Sequence, residues 1–236
     1  MAGRYVDVNV YPLSYREYLE FCPDSNFNEF SREGGLPGVV TLPNKVARTS
    51  ALEGILNTVL FRDVVARFAM RNPALFNDVL KFLSANIAYP TSTKSIADYV
   101  KKERISAAFE TVRDDLLYFE QTNLVACVRW FDALGKRSLD LNAKYYFADV
   151  GLRNCLSGMR NEFRGQLLEN IVYNELRVRG YQVSIVRVGA MEVDFMAERS
   201  SAQEIEKIYI QVTLICKRRN SAARIYAAPF DKRRLP

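Results

Sequence analysis

The chain has 236 residues, of which 49% are apolar and 25% charged, an ordinary globular balance with material for a substantial core. It contains no histidine, and its four cysteines, Cys22, Cys127, Cys155 and Cys216, lie far apart, which excludes zinc fingers and ribbons, Ser-His-Asp triads and Cys-His pairs. The apolar runs Leu52–Phe61 and Ile208–Cys216 are interrupted and fall short of the roughly 20 residues of a membrane span. The first ten residues lack the basic and apolar regions of a signal peptide, and scattered thiols suit a reducing compartment, so a cytoplasmic protein is expected.

The net charge is +6, but residues 217–236 hold seven basic residues and one acid, which account for all of it. Residues 1–216 are balanced. The basic stretch is therefore expected to be a disordered tail rather than a phosphate-binding face.

In chain order, Tyr5–Val10 alternates apolar and polar residues, the period of a half-buried strand. Ser14, three before Glu17, forms a capping box that starts a short helix. Residues 22–38 are rich in polar residues, Gly and Pro, and read as loop with one helical turn near Phe27–Phe30. Leu52, Ile55, Leu56, Val59, Leu60, Val64 and Phe68 recur at helical spacing, and that helix must stop before Pro73.

A second stripe, Leu75, Phe76, Val79, Leu80 and Leu83, predicts a helix. Ser95 and Asp98 mark a short one after it, and Ser106–Thr122 carries Phe109, Val112, Leu116 and Phe119 on one face. A hairpin follows, Leu124–Phe131 with Arg137–Phe147. Three helices and a hairpin are the order of a winged helix-turn-helix. Its recognition helix holds Glu110, Asp114, Asp115 and Glu120 against Arg113, which repels phosphate, so protein contact is favoured over nucleic acid. Tyr145, Tyr146, Phe147, Trp130 and Phe131 read as core.

Gly165–Arg179 predicts a helix stopped by Gly180, followed by strands at Tyr181–Val188, Met191–Glu198 and Lys207–Ile215. This change of character suggests a separate small α/β domain, with Ser157–Arg164 as linker.

Several local patterns coincide along the chain. They are Gly3-Arg4-Tyr5-Val6, Pro12–Tyr18, Gly34-Gly35-Leu36-Pro37, Phe61-Arg62-Asp63-Val64, Lys144–Asn154, Gly165, Leu168-Glu169-Asn170 and Glu192-Val193-Asp194-Phe195. In that order they resemble a large family of bacterial and archaeal AAA-type ATP-binding proteins with a C-terminal domain of unknown function. In that family an ATPase core precedes the Gly-Arg-Tyr-Val strand. No G-x-x-x-x-G-K-[ST] loop exists here: Gly135-Lys136 has no glycine five residues before it. The resemblance implies a chain truncated before residue 1, with Arg4 matching the arginine that lies near the nucleotide and Arg62-Asp63 near the interface with the core. ATP and Mg²⁺ belong to the intact family, and no cofactor is expected for this chain.

The C-terminal block also has the shape of a degenerate PD-(D/E)xK nuclease core, which needs carboxylates around Mg²⁺ and a lysine near the attacking water. Glu169, Glu192 and Asp194 are its candidate carboxylates. Gln211-Val212-Thr213 stands where (D/E)-x-K should be, and Lys207 could reach in.

The expected architecture is α/β: an ATPase-core remnant at 1–40, a helical region with a winged helix at 41–156, a nuclease-like α/β domain at 157–216 and the basic tail at 217–236. The expected role is accessory and non-catalytic, coupling the missing ATPase core or a protein partner. A winged-helix nucleic-acid regulator and a Mg²⁺-dependent nuclease are the alternatives, and no membrane is involved.

Overall fold

A computed structural model describes residues 8–58, 64–68, 72–102, 109–132, 137–159, 164–188, 191–200, 204–217 and 220–229. The described residues form a mixed α/β fold, with ten helices around one six-stranded sheet. No helix among them is long and apolar enough to cross a membrane.

The N-terminal region opens with α1 (Tyr15–Phe21), whose Ser14–Glu17 capping box forms as the sequence predicts. Residues 22–38 carry more helix than expected. Asn26 and Glu29 make a second capping box that starts α2 (Phe27–Glu33), and Pro37 opens α3 (Pro37–Val40). Of the expected strand at Tyr5–Val10, only Val8–Val10 lie within the described residues, and these three are not in a strand.

The helix expected from Leu52 begins earlier, as α4 (Lys45–Ile55), because Asn44 Oδ1 accepts from Ala47 N. It passes into a wider π-type turn, and a short α5 (Val65–Arg67) lies beyond residues 59–63. Next come α6 (Pro73–Ala85), α7 (Thr93–Lys102) and α8 (Phe109–Gln121). The start of α7 is set by reciprocal Ser92–Ser95 hydrogen bonds, one turn earlier than Ser95 alone suggests. These helices close the first core, with Phe76 stacked on Phe119 and Phe68 on Tyr118.

One group in this core is costly. Asp115 on α8 is 4% exposed, and its Oδ2 has no hydrogen-bond partner. Burial, with Asp114 adding to it, pushes its carboxyl up to about 7. A folded pKa above the unfolded value means that the penalty appears as pH rises past the unfolded pKa and is complete above the folded one. Asp115→Asn is therefore expected to stabilise the protein by about 1–3 kcal/mol at pH 8 and far less at pH 4. Urea midpoints at the two pH values measure this, and a variant weaker than the parent at pH 8 would refute it.

The hairpin is β1 (Val125–Asp132) and β2 (Arg137–Phe147). After it come α9 (Val150–Ser157), α10 (Arg164–Val178), β3 (Gln182–Val188), β4 (Met191–Ser200), β5 (Ile205–Lys217) and β6 (Asn220–Pro229). Sheet order is β2-β1-β3-β4-β5-β6, antiparallel except for a parallel β1–β3 contact at Trp130–Asp132 against Ile185–Arg187.

Two expectations change here. The regions 41–156 and 157–216 share one sheet, because the hairpin and the later strands cover a common core that includes Trp130, Tyr146, Leu168, Ile185 and Phe195. The tail expected to be disordered contains β6, whose main chain pairs with β5 at ten positions. Ladder hydrogen bonds need main-chain groups only, so basic composition does not prevent them.

Candidate functional site

Lys144 is the centre of the most heavily charged buried cluster. It lies on β2 between Ala143 and Tyr145 and is 4% exposed. Its Nζ is 3.0 Å from Glu169 Oε1, 2.8 Å from Glu192 Oε1 and 3.8 Å from Asp194 Oδ1. Helix α10 supplies Glu169, and β4 supplies Glu192 and Asp194, two residues apart and so on one face. The Tyr146 hydroxyl donates to Glu169 Oε1 at 2.7 Å, and its ring stacks on Tyr173 at 4.6 Å.

The β4–β5 ladder explains how Asp194 is held. Paired positions run from Phe195–Ile210 to Ser200–Ile205 and stop before Asp194. There the carboxylate takes over from the main chain: Asp194 Oδ2 accepts from Val212 N at 2.8 Å and from Gln211 Nε2 at 2.7 Å. All four expected residues, Glu169, Glu192, Asp194 and Gln211, thus meet at one place.

The lysine does not come from the expected strand. Lys207 pairs with Glu198, its cross-strand neighbour in register, two ladder steps or more from Asp194. Lys144 supplies the positive charge instead. The signal was a lysine inside a stretch of strand otherwise apolar from Ala143 to Phe147, a position that costs energy without a counter-charge.

Burial depresses the Lys144 ammonium, but Glu169 and Glu192 outweigh it and hold its pKa above the ordinary lysine value. Burial raises Glu169 against the pull of Lys144 and Tyr146, and raises Asp194 against the Val212 N–H and Lys144. The carboxylate oxygens converge on the ammonium. Among the described residues no group of three or more His, Cys, Asp or Glu is arranged to hold a metal ion.

Gly34-Gly35 and Asp149–Asn154 form a second focus, and a structural one. Asp149, 2% exposed, caps α9 by accepting from Leu152 N at 3.0 Å and reaches back to Gly35 N at 2.7 Å. Burial pushes its carboxyl up to about 6 despite the N–H groups around it. A Cβ at Gly34, where φ is +77°, would lie 2.3 Å from Asp149 Oδ1, and one at Gly151 would lie 2.2 Å from the Glu33 carbonyl oxygen. Arg153, fully buried, donates to the Ser84 and Gly158 carbonyls. Gly34-Gly35 and Asp149–Asn154 are thus two halves of one joint. Of the other expected positions, Arg4, Arg62 and Asp63 lie outside the described residues.

Residues 24–162 match the family described as Domain of unknown function (DUF8612), more than half of the chain, and the chain belongs to that family. It is 30% identical over 220 residues to an uncharacterized protein of Haemophilus influenzae, covering 90% of this chain and 54% of that one. It is 26% identical over 231 residues to the uncharacterized protein MJ1544 of Methanocaldococcus jannaschii, covering 89% and 51%. The chain therefore spans about half the length of the relatives it matches. No solved structure matches it.

Proposed function

We propose that this member of the DUF8612 family is the accessory portion of a longer AAA-type ATP-binding protein, a coupling and docking unit without chemistry of its own. The observation that carries the reading is one of length: about nine-tenths of the chain aligns within relatives about twice as long. The motifs behind the resemblance favour it too, because Gly34-Gly35 and Asp149–Asn154 serve internal packing rather than a ligand. In this reading α6, α7, α8 and the β1–β2 hairpin act as a winged helix for protein contact. The exposed face of α8 offers Glu110 and Asp114 against Arg113, a poor surface for phosphate. The C-terminal block is a nuclease-like fold whose charge cluster is closed by Lys144.

Calorimetry with a non-hydrolysable ATP analogue tests this. No binding heat is expected from this chain, and a saturable heat is expected from the full-length Haemophilus influenzae relative. Binding by the short chain would sink the reading.

One observation favours the nuclease alternative: Lys144 restores a lysine beside Glu169 and Asp194. The convergence of those carboxylates on the ammonium weighs against it. Supercoiled DNA and single-stranded RNA are expected to stay intact with this chain and Mg²⁺ or Mn²⁺. Cleavage that disappears in Asp194→Asn would replace the accessory reading.

A further inference from the structure

The sheet has an opening. β1 pairs with β2 along its whole length, from Val125–Phe147 to Asp132–Arg137, but meets β3 only at Trp130–Asp132. Among the described residues, the first half of β1 therefore lacks a strand neighbour on its β3 side.

The direction of its main-chain groups follows from the hydrogen bonds around it. Ala148 N donates to Leu124 O, so the carbonyl of Leu124 and, by strand alternation, the main-chain groups of Ala126 and Val128 turn toward β2. On β2, Phe147 N and O turn the other way, to the Asn170 side chain, and Tyr145 O turns to Ala88 N. The N–H and C=O groups of Val125 and Cys127 thus point away from β2, and no strand among the described residues pairs with them. Val125 is 1% exposed, and buried main-chain groups of this kind are nearly always paired.

The space they face is a cleft of about 770 Å³. Val125–Val128 form one wall, Tyr173 and Arg177 of α10 another, and Val8–Pro12 a third. That third wall is held in place. Arg177 Nη2 donates to the Tyr11 hydroxyl at 3.3 Å, and Leu13 N donates to Gly35 O at 2.7 Å. Just before this anchor, Val8 and Val10 are 78% and 89% exposed, an unfavourable state for two β-branched residues with strand preference.

We propose that the open edge of β1 is a strand-docking site and that its occupant is the chain's own segment Val8–Tyr11, which closes on it as a seventh strand. The free groups of Val125 and Cys127 require an extended main chain. Val8–Tyr11 is such a segment, tethered at Tyr11 on the wall of the same cleft, so its effective concentration exceeds that of any separate molecule. Closure pairs the edge groups and reduces the exposure of the two valines. It also hides an edge on which other strands could add.

Amide hydrogen exchange read by NMR tests this, on the natural chain and on Val10→Pro, which removes a main-chain donor from the segment. The amides of Val125 and Cys127 are expected to exchange about 100-fold more slowly in the natural chain than in the variant, while the amides of α10 keep their protection as a control for folding. Equal exchange in the two proteins would overturn the proposal. So would protection that grows with protein concentration, because the occupant would then be a second copy.

Discussion

Lys144→Met is expected to lower stability at pH 7 by about 3–5 kcal/mol, the usual cost of removing one partner from a buried ion pair. The side chain of Lys144 is 5% exposed, and its ammonium is the cation shared by Glu169, Glu192 and Asp194. Methionine has similar bulk, so the loss reads charge rather than a cavity. Of the three carboxylates, Glu169 and Asp194 are the more buried, and burial already raises both. Without Lys144 their folded pKa values rise further above the unfolded ones. An acid with a raised folded pKa destabilises above that pKa and ceases to do so below the unfolded value. The deficit of Lys144→Met should therefore shrink as pH falls from 7 toward 4. Chemical denaturation at pH 7 and pH 4.5 measures both effects. A loss under 1 kcal/mol, or one independent of pH, would show that Lys144 does not neutralise the cluster.

Gly151→Ala should be comparably severe for a different reason. The added Cβ would stand 2.2 Å from the Glu33 carbonyl oxygen and 2.9 Å from Asp149 Oδ1. The first of these is main chain at the end of α2, so no side-chain rotation relieves the clash. Helices α2 and α9 must move apart, which breaks the Gly35–Asp149 hydrogen bond and exposes part of the core around Val40 and Val150. A loss of about 3–5 kcal/mol or failure to fold is expected. Gly54→Ala is the control. It lies on the exposed side of α4 with nothing within 4 Å of the new Cβ, and it should gain about 0.5–1 kcal/mol. Thermal melts of the two variants separate the readings, and a Gly151→Ala protein as stable as its parent would dissolve the joint between the two motifs.

Local structure was legible wherever neighbours in sequence decide it. The Ser14 capping box, the apolar stripe of α6, the stop of α10 at Gly180 with φ +81°, and strands β3, β4 and β5 all follow from contacts a few residues apart. The gathering of Glu192, Asp194 and Gln211 was legible too, because strand parity puts Glu192 and Asp194 on one face and Gln211 lies just past the paired stretch of β5 that ends beside Asp194. Cap residues with less distinctive surroundings, such as Asn44 and Asp149, were not singled out although each starts a helix.

Other features depended on distance along the chain. Lys144 meets Glu169 across 25 positions, and Asp149 meets Gly35 across 114. No periodicity encodes such pairs, so the lysine of the cluster was sought on β5 and found on β2. The single sheet was hidden for the same reason. Trp130–Asp132 and Ile185–Arg187 are each ordinary strand, and only burial of the shared core under α10 sets them side by side. Most helices and strands, the balance of charge and the exclusion of histidine chemistry depend on composition and short-range spacing, and were readable before folding. Tertiary structure alone decided which carboxylates share which lysine, that the hairpin and the C-terminal strands are one sheet, and that Asn220–Pro229 is a strand. These follow from burial and main-chain pairing, which act between segments wherever folding brings them together.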